Sequence, residues 1–323
     1  MQAITFAAPG GPDIMRLQPL RLGAPGPGEA LIRHEAIGVN FIDIYHRTGF
    51  YPVALPGGLG LEAAGVVEAV GAGVEKISEG MRVAYVADKP GTYATHNLVK
   101  ADRLVPLPDW LDSATAAAVL LQGLTAEYLI TSSFEVMPWH TILLHAAAGG
   151  VGLLLTQWAA HHGATVIGTA GGETKTRLAL HYGCAHAIDY QSEDFAERAR
   201  EITGGLGVDV VYDSVGKTTF EGSLQCLKPR GTLVSFGQSS GAIPPLDVAR
   251  LGALGSLTLT RPSLPHYIAT PQELGRRAAH LFLMLKSGAV LLDQMTRFAL
   301  ADAAKAHEAL EGRQTAGKVI LMP

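Results

Sequence analysis

The chain has 323 residues, which is about the length of two domains, and its composition is apolar enough for two buried cores. Its 25 basic and 29 acidic residues, with no basic block, argue against nucleic acid or an anionic membrane surface as a main partner. The N-terminus lacks the features of a signal peptide, and the two cysteines, Cys184 and Cys226, form no C-x-x-C motif. We therefore expect a cytoplasmic protein with free thiols.

Residues 1 to about 110 are predicted to be mostly β, because short apolar runs alternate with Gly/Pro turns. One segment among these runs, 38–52, is expected to be irregular, and a glycine-rich segment, 57–65, follows it. A helix is predicted to follow over Ser113–Ile130. The predicted strands are Ala3–Phe6, Met15–Leu20, Glu29–Ile37, Gly65–Val70, Arg82–Val86 and Thr92–Val99.

A strand, a glycine turn and a helix follow one another over residues 141–163. The apolar run Thr141–His145 predicts a buried parallel strand, and after Val151 apolar residues recur every three or four positions. In the turn, Gly149 would let the backbone approach a pyrophosphate, and Gly152 would let the helix pack close to the strand. The N–H groups of the first helical turn would face the phosphates. This context predicts a dinucleotide site.

The motif is imperfect, because Ala147 stands where G-x-G-x-x-G has its first glycine. A tight packing turn is one alternative. A membrane span is another, since the stretch is apolar for about 20 residues. His145, Gln157 and the glycine turn argue against a span. The pattern of the chain beyond residue 163 favours the nucleotide interpretation over both.

After this motif, strands alternate with helices, which predicts a parallel doubly wound sheet. The tail has predicted helices at Pro271–Ser287 and Ala301–Glu311 and a strand at Lys318–Leu321, and it could pack with the β-rich start as a discontinuous domain. The alternating elements are predicted as strands Thr165–Thr169, Ala187–Tyr190, Val208–Asp213, Thr232–Phe236 and Ser256–Thr260 and helices Glu173–Tyr182, Glu193–Thr203 and Thr218–Leu227.

The preference between NADH and NADPH depends on the residues at the end of the predicted strand Thr165–Thr169. NAD sites carry an Asp or Glu about 20 residues after the glycines, which binds the ribose 2′-hydroxyl. Here the chain reads Thr-Ala-Gly-Gly over 169–172, with no acid before Glu173. Lys175 and Tyr190 could instead face a 2′-phosphate, so NADPH is preferred over NADH. The alternative is that Lys175 is an ordinary solvated helix residue.

Five segments together form a pattern more specific than any single motif: AIGVNFIDIYHRTGFYP (36–52), HAAAGGVG (145–152), VVYDSVG (210–216), VSFGQSSG (234–241) and TRPSL (260–264). They closely resemble the NADPH:quinone oxidoreductases, the zeta-crystallin-like, zinc-independent branch of the medium-chain dehydrogenase/reductase superfamily. The resemblance covers essentially the whole chain. It implies an α/β fold, with a Rossmann domain (116–264) beside a discontinuous GroES-like catalytic domain (1–115 and 265–323). It also implies a homodimer through Rossmann edge strands, for which Ser256–Thr260 is the candidate.

The same resemblance implies positions for NADPH. The pyrophosphate is expected at Gly149, Gly150 and Val151, and the 2′-phosphate at Lys175 and Tyr190. Lys318 could approach the cofactor phosphates or simply end a strand. The nicotinamide and its ribose are expected near Asn40, Tyr45, Thr125, Ser214, Phe236, Gly237, Ser239, Arg261 and Ser263.

No metal is expected. Zinc alcohol dehydrogenases of the superfamily bind zinc through Cys and His. This chain has residues 40–43, Asn-Phe-Ile-Asp, in place of their Cys segment, and residues 60–62, Gly-Leu-Glu, in place of Gly-His-Glu. Without a Lewis acid, reduction of a simple ketone would leave a basic alkoxide unstabilised. A quinone or an α,β-unsaturated carbonyl delocalises the accepted charge.

The first hypothesis is therefore an NADPH-dependent quinone reductase. Phe41, Tyr45, Phe50 and Tyr51 are expected to line a pocket for a flat acceptor, with Asn40 orienting the nicotinamide. Either Tyr45 or Tyr51 could donate to the substrate oxygen; packing roles for the tyrosines and proton delivery by solvent remain alternatives. Two other functions stay open: an NADPH-dependent alkenal or enone double-bond reductase, and an NADPH-binding protein with little turnover.

Overall fold

The structure, a computed structural model, describes residues 1–323. The chain forms two compact units. The first contains Met1–Gln122, Ile268–Ala278 and Leu292–Pro323, and the second contains Gly123–Tyr267 and Ala279–Leu291.

In chain order the strands and helices are β1 (Gln2–Phe6), β2 (Arg16–Pro19), β3 (Glu29–Val39), α1 (Phe41–Thr48), β4 (Gly57–Gly58), β5 (Glu62–Val70), β6 (Arg82–Val86), β7 (His96–Lys100), β8 (Leu104–Pro106), α2 (Ser113–Tyr128), β9 (Thr141–Leu144), α3 (Gly150–His161), β10 (Thr165–Ala170), α4 (Glu173–His181), β11 (His186–Asp189), α5 (Phe195–Ile202), β12 (Val208–Asp213), α6 (Phe220–Cys226), β13 (Leu227–Ser235), α7 (Ala249–Ala253), β14 (Thr258–Thr260), α8 (Leu264–Tyr267), α9 (Pro271–Lys286), β15 (Met295–Ala299), α10 (Ala303–Glu311) and β16 (Lys318–Met322).

The first unit is built from two sheets. The smaller has the order β2-β1-β4, and the larger runs β15-β16-β3-β5-β6-β8, with β7 also paired to β3. All pairs are antiparallel except β15 with β16. Alternate side chains of β3 point into an apolar core that includes Ile32, Val67 and Tyr85.

The second unit is a doubly wound parallel sheet with the order β11-β10-β9-β12-β13-β14. Its core includes Leu143, Ile167, Val211 and Leu233, which lie on strands buried by the flanking helices. The strand order reverses between β9 and β12, and in such sheets ligands bind beyond the carboxyl ends of the strands at this point. The predicted fold class is confirmed, and β14 lies at one edge of the sheet.

Several element predictions were wrong. The segment predicted to be irregular contains α1, which begins after Asn40 and ends at Gly49, a residue with φ of +77°. The strand predicted from Thr92 is regular only from His96. β15 was missed because all five of its residues are half-buried or exposed, which weakens the apolar signal of a strand. β8 and α7 were missed because they have only three and five residues.

Helix α2 and its continuation to Ser133 are long and apolar enough to cross a membrane by length and composition alone. Within the fold, 72% of the most apolar window of this helix is buried. Its apolar surface is therefore covered by protein, as in the core helix of a globular domain.

Candidate cofactor and active site

Backbone conformation, and not side-chain capping, defines the glycine turn between β9 and α3. Ala146 has φ of +53°, and Gly149, in an extended conformation, is the N-cap of α3. No side-chain hydrogen bond caps this end of the helix, since its N-cap residue has no side chain. The N–H groups of Gly150 and Val151 thus open a helix whose positive dipole end favours an anion.

Two glycines at the start of α3, Gly149 and Gly152, differ in how tightly they pack. A Cβ at Gly152 would lie 2.2 Å from the carbonyl oxygen of Ala146 and 2.7 Å from that of Ala147. A Cβ at Gly149 would meet only the Ala146 oxygen, at 3.1 Å. Gly152 is therefore required for the helix to approach the turn. Together the turn and the uncapped helix end fit a dinucleotide pyrophosphate.

The structure places Tyr190 against the turn that precedes the helix of Lys175. β10 ends at Ala170, and Lys175 lies in the first turn of α4. Tyr190 directly follows β11, and a Cβ at Gly171 would lie 2.6 Å from its hydroxyl oxygen. The phenol therefore packs onto the glycine backbone at the end of β10.

An acidic side chain that no sequence motif indicated lies at the same turn. One carboxylate oxygen of Asp189 accepts the N–H of Gly172 at 2.9 Å and that of Gln191 at 3.0 Å. Asp189 reaches the turn because it pairs with Ala170 in the parallel ladder of β10 and β11. No local motif could reveal this approach, since the two residues belong to different strands.

Asp213 organises the loop after β12. This fully buried residue accepts the N–H of Val215 at 2.7 Å and of Gly216 at 3.0 Å. The hydroxyl of Thr219 donates to both of its carboxylate oxygens. The loop that carries Ser214 is therefore held in one conformation by a single carboxylate.

The loop after β13 packs against Ser214. Phe236 and Gly237 both donate their N–H to the carbonyl of Asp213, at 2.8 and 3.3 Å, and Ser239 donates to the carbonyl of Ser214 at 3.2 Å. A Cβ at Gly237 would lie 2.6 Å from that same carbonyl oxygen. The structure thus brings together four residues predicted for the nicotinamide end.

The remaining predicted residues of this unit are more dispersed. Arg261 follows β14 and donates from Nη1 to the carbonyl of Ser235 at 3.0 Å, which holds it beside the end of β13. Ser263 follows in the same loop, and Thr125 is buried in α2.

A buried His–Ser–Asp chain, which no sequence motif indicated, joins the ends of β9, β10 and β12. Nδ1 of His145 lies 2.9 Å from Oγ1 of Thr169, and Nε2 lies 3.0 Å from Oγ of Ser223. Ser223 in turn donates to Asp213 at 3.2 Å. Burial lowers the pKa of His145, which favours the neutral imidazole. We interpret this chain as a clamp on the strand ends.

In the first unit, Asn40 stands between β3 and α1 and is buried. Its backbone N–H donates to the carboxylate of Asp43 at 2.8 Å, which fixes the start of the helix. Its side-chain amide donates from Nδ2 to Glu62 at 2.9 Å. Its Oδ1 accepts from Nζ of Lys318 at 2.9 Å and from Nε2 of Gln122 at 3.2 Å. Lys318 thus lies at one end of β16, as its first residue, and belongs to this buried cluster.

A second buried polar chain starts at Asp43. The Tyr93 hydroxyl donates to Asp43 at 2.9 Å and lies 3.0 Å from Nε2 of His307. Arg47 follows, with Nη1 3.4 Å from Nδ1 of His307 and Nη2 2.7 Å from Glu311. Burial raises the pKa of Asp43 to about 7, whereas burial and the Arg47 charge lower that of His307 to about 3.

The aromatic residues predicted to line a substrate pocket form a contiguous cluster. The ring of Tyr45 lies 5.3 Å from Phe41, 5.3 Å from Phe50 and 5.0 Å from Tyr51 by centroid distance. Phe50 and Tyr51 are 5.4 Å apart, and Phe50 is 40% exposed. These are edge-on or tilted contacts typical of packed aromatic side chains.

The polar residues near Asn40 do not form a metal-ligand set. No group of three or more His, Cys, Asp or Glu side chains in the chain is arranged to hold a metal ion. The Glu62 carboxylate is already paired with the ammonium of Lys318 at 2.8 Å, and this cation would repel another.

Comparison with known proteins identifies the family. Residues 26–109 match the model of the alcohol dehydrogenase GroES-like domain, and residues 150–277 match the model described as zinc-binding dehydrogenase. A quinone oxidoreductase of Pseudomonas aeruginosa is 46% identical over 321 residues, which covers 99% of both chains. The chain belongs to the quinone oxidoreductase family of medium-chain dehydrogenases/reductases.

Other members extend the comparison to solved structures and to a second activity. A crystal structure of Escherichia coli quinone oxidoreductase complexed with NADPH is similar with a TM-score of 0.97 and 44% identity, over 100% of both chains. A 2-haloacrylate reductase of a Burkholderia species is 44% identical over 321 residues, covering 97% of this chain and 96% of its own. The family resemblance and the GroES-like plus Rossmann architecture are thereby confirmed.

Proposed function

We propose that the chain is an NADPH-dependent quinone reductase. The observation that carries this function is the full-length match to quinone oxidoreductases, one of them solved in complex with NADPH. The uncapped glycine end of α3 agrees with it, since this end offers backbone donors to a pyrophosphate.

In the second unit, each part of the cofactor has its own set of proposed contact residues. Gly149, Gly150 and Val151 would bind the pyrophosphate, and Lys175 and Tyr190 the 2′-phosphate. Asp189 does not oppose this assignment strongly, because two backbone N–H groups already share one of its oxygens. The nicotinamide and its ribose would contact Thr125, Ser214, Phe236, Gly237, Ser239, Arg261 and Ser263.

Bound NADPH would supply a hydride, so the protein must position a flat acceptor and stabilise the charge it gains. In the first unit, we propose that the cluster of Phe41, Tyr45, Phe50 and Tyr51 packs against the quinone ring. Tyr45 or Tyr51 would donate a hydrogen bond to a quinone oxygen, and Asn40 would bind the nicotinamide end. A conjugated oxygen is a weak base, so hydrogen bonds suffice for this chemistry.

The test is NADPH oxidation by the purified protein with a panel of quinones, run beside NADH and with added chelator. We expect turnover with 1,4-benzoquinone, a strong preference for NADPH, and no effect of the chelator. NADPH binding without oxidation by any quinone would contradict the proposal and leave the protein a cofactor-binding protein. Turnover that the chelator abolishes would contradict the metal-free chemistry.

A second candidate substrate class has its own support, because a 2-haloacrylate reductase is nearly as similar to this chain as the quinone oxidoreductases. Both reactions deliver a hydride to a conjugated system, so the same residues could serve either. Steady-state rates with 1,4-benzoquinone, an enone and a 2-haloacrylate separate the two functions. A higher kcat/KM for the enone or the haloacrylate would favour double-bond reduction.

We further propose a cytoplasmic homodimer that forms through the exposed edge of β14. This edge strand has one free side in the sheet order. Analytical ultracentrifugation should then give twice the single-chain mass of 33.9 kDa. A proline at Leu259, in the middle of β14, should shift the protein toward monomer, and an unchanged dimer would contradict this interface.

A further inference from the structure

An ion pair lies fully inside the first unit, next to Asn40. The side chains of Glu62 and Lys318 are both 0% exposed, and Nζ lies 2.8 Å from Oε2. Such a pair is weak evidence for stability, because desolvation of two charges can offset their attraction. Its position against the amide of Asn40 suggests a different role.

The pair permits only one orientation of the Asn40 amide. An ammonium group can only donate hydrogen bonds and a carboxylate can only accept them. Oδ1 of Asn40 must therefore face Lys318, and Nδ2 must face Glu62, as their contacts of 2.9 Å show. A flipped amide would place N–H groups against the ammonium and an oxygen against the carboxylate.

The Glu62 carboxylate is itself held in place. Its other oxygen, Oε1, accepts the N–H of Leu121 at 2.7 Å. A Cβ at Gly38 would lie 2.2 Å from Oε2 and 2.5 Å from the carbonyl oxygen of Ala117, so only a glycine leaves room for the carboxylate there. Glu62 is thus fixed by α2 on one side and by the backbone of β3 on the other.

We propose that Lys318 and Glu62 are positioning residues that hold the Asn40 amide in one orientation for reduction. One Nδ2 hydrogen of Asn40 goes to Glu62, and the other goes to no group of this chain, so it remains for the cofactor or the substrate. Asp43 fixes the Asn40 backbone by a separate hydrogen bond. This inference rests on the proposed function, which assigns Asn40 to the nicotinamide end.

The first test is a double-mutant cycle in the full-length enzyme with Lys318→Met and Asn40→Ala. If Lys318 acts through Asn40, Lys318→Met lowers kcat by about tenfold to a hundredfold in the wild-type background, since small misplacements can have effects of this size. In the Asn40→Ala background the same change has almost no further effect on kcat. Glu62→Gln, which removes the charge and keeps the shape, should behave in the same way.

Tyr85→Phe is the matched control for a purely structural effect. Tyr85 is fully buried in the same unit, and its hydroxyl contacts His34 and Asn97 but makes no hydrogen bond to Asn40, Glu62 or Lys318. We expect this variant to lower Tm and to leave kcat unchanged. If Lys318→Met and Glu62→Gln also lower Tm without lowering kcat, or if their effects on kcat add to that of Asn40→Ala, the inference is wrong.

A readout independent of activity separates this inference from the proposed function. In wild type, the side-chain amide hydrogens of Asn40 should give two distinct NMR resonances that exchange slowly with solvent. Lys318→Met and Glu62→Gln should each shift these resonances and speed their exchange, and Tyr85→Phe should do neither. Unchanged resonances would overturn the positioning role even if the enzyme reduces quinones. A wild-type protein that reduces nothing would instead overturn the function.

Discussion

The two units place their functional residues by different means. In the second unit, the proposed pyrophosphate site is formed by the backbone, namely an uncapped helix end and glycines that admit close approach. In the first, side chains far apart in sequence meet in buried hydrogen-bonded clusters, as Asn40, Glu62 and Lys318 do. The backbone site of the second unit should therefore be damaged by added atoms. The side-chain clusters of the first unit should be damaged by the loss of one partner.

The largest effect should come from an added methyl group in the second unit. Gly152→Ala would push a Cβ into two carbonyl oxygens of the turn, at 2.2 and 2.7 Å. Because both obstacles are backbone, the turn or the helix must move, and we expect the free energy of unfolding to fall by more than about 3 kcal/mol. Urea denaturation measures this loss, and a stability equal to wild type would contradict the close packing.

Gly149→Ala is the matched control for that change. Its Cβ would meet one oxygen at 3.1 Å, and its φ of −82° suits any residue. We expect little change in stability but weaker NADPH binding, because the methyl group would lie where the pyrophosphate approaches. Equal NADPH affinities for this variant and wild type would argue against the phosphate position.

The stability of the first unit should instead depend on pH. Burial lowers the pKa of His34 from 6.5 to about 4. The unfolded state then binds a proton below pH 6.5 that the folded state binds only near pH 4. The stability from His34 is therefore fully present above pH 6.5 and is lost as pH falls toward 4, by about 3 kcal/mol in total.

The difference in unfolding free energy between wild type and His34→Gln isolates this contribution from other buried histidines. It should shrink steadily from pH 6.5 to pH 4. The contacts of His34 explain why its folded form stays neutral. Its Nδ1 lies 2.6 Å from the Ala94 carbonyl oxygen and its Nε2 lies 2.7 Å from the Tyr85 hydroxyl, an arrangement that suits the neutral ring. A pH-independent difference would be incompatible with this assignment.

The same contrast explains what the sequence could predict. The proposed dinucleotide turn is local, so its strand, glycines and helix could be predicted from residues 141–163, and the alternating elements beyond residue 163 favoured the nucleotide interpretation. α1 was also encoded locally, by Asn40 and Asp43 three residues apart and by Gly49, signals that the prediction of an irregular segment over 38–52 did not use.

Lys318 could not be placed from sequence in the same way. Its partners, Asn40 and Glu62, are 278 and 256 residues away, and they meet it because β3 pairs with β16 on one side and with β5 on the other. The same holds for Asp189, which reaches its turn through the pairing of β10 with β11. Long-range strand pairing is thus the information that the motifs lacked.

The central claim is that a phosphorylated dinucleotide lies on the turn after β9 with its 2′-phosphate near Lys175. The most direct measurement is the Kd of NADPH and of NADH for wild type, Lys175→Ala and Arg177→Ala, a control on the same helix whose side chain is 75% exposed. We predict that Lys175→Ala weakens NADPH binding by about tenfold to a hundredfold, the size of a lost charge-assisted hydrogen bond, and leaves NADH binding nearly unchanged. Arg177→Ala should alter neither. Equal weakening of both cofactors by Lys175→Ala would contradict the account.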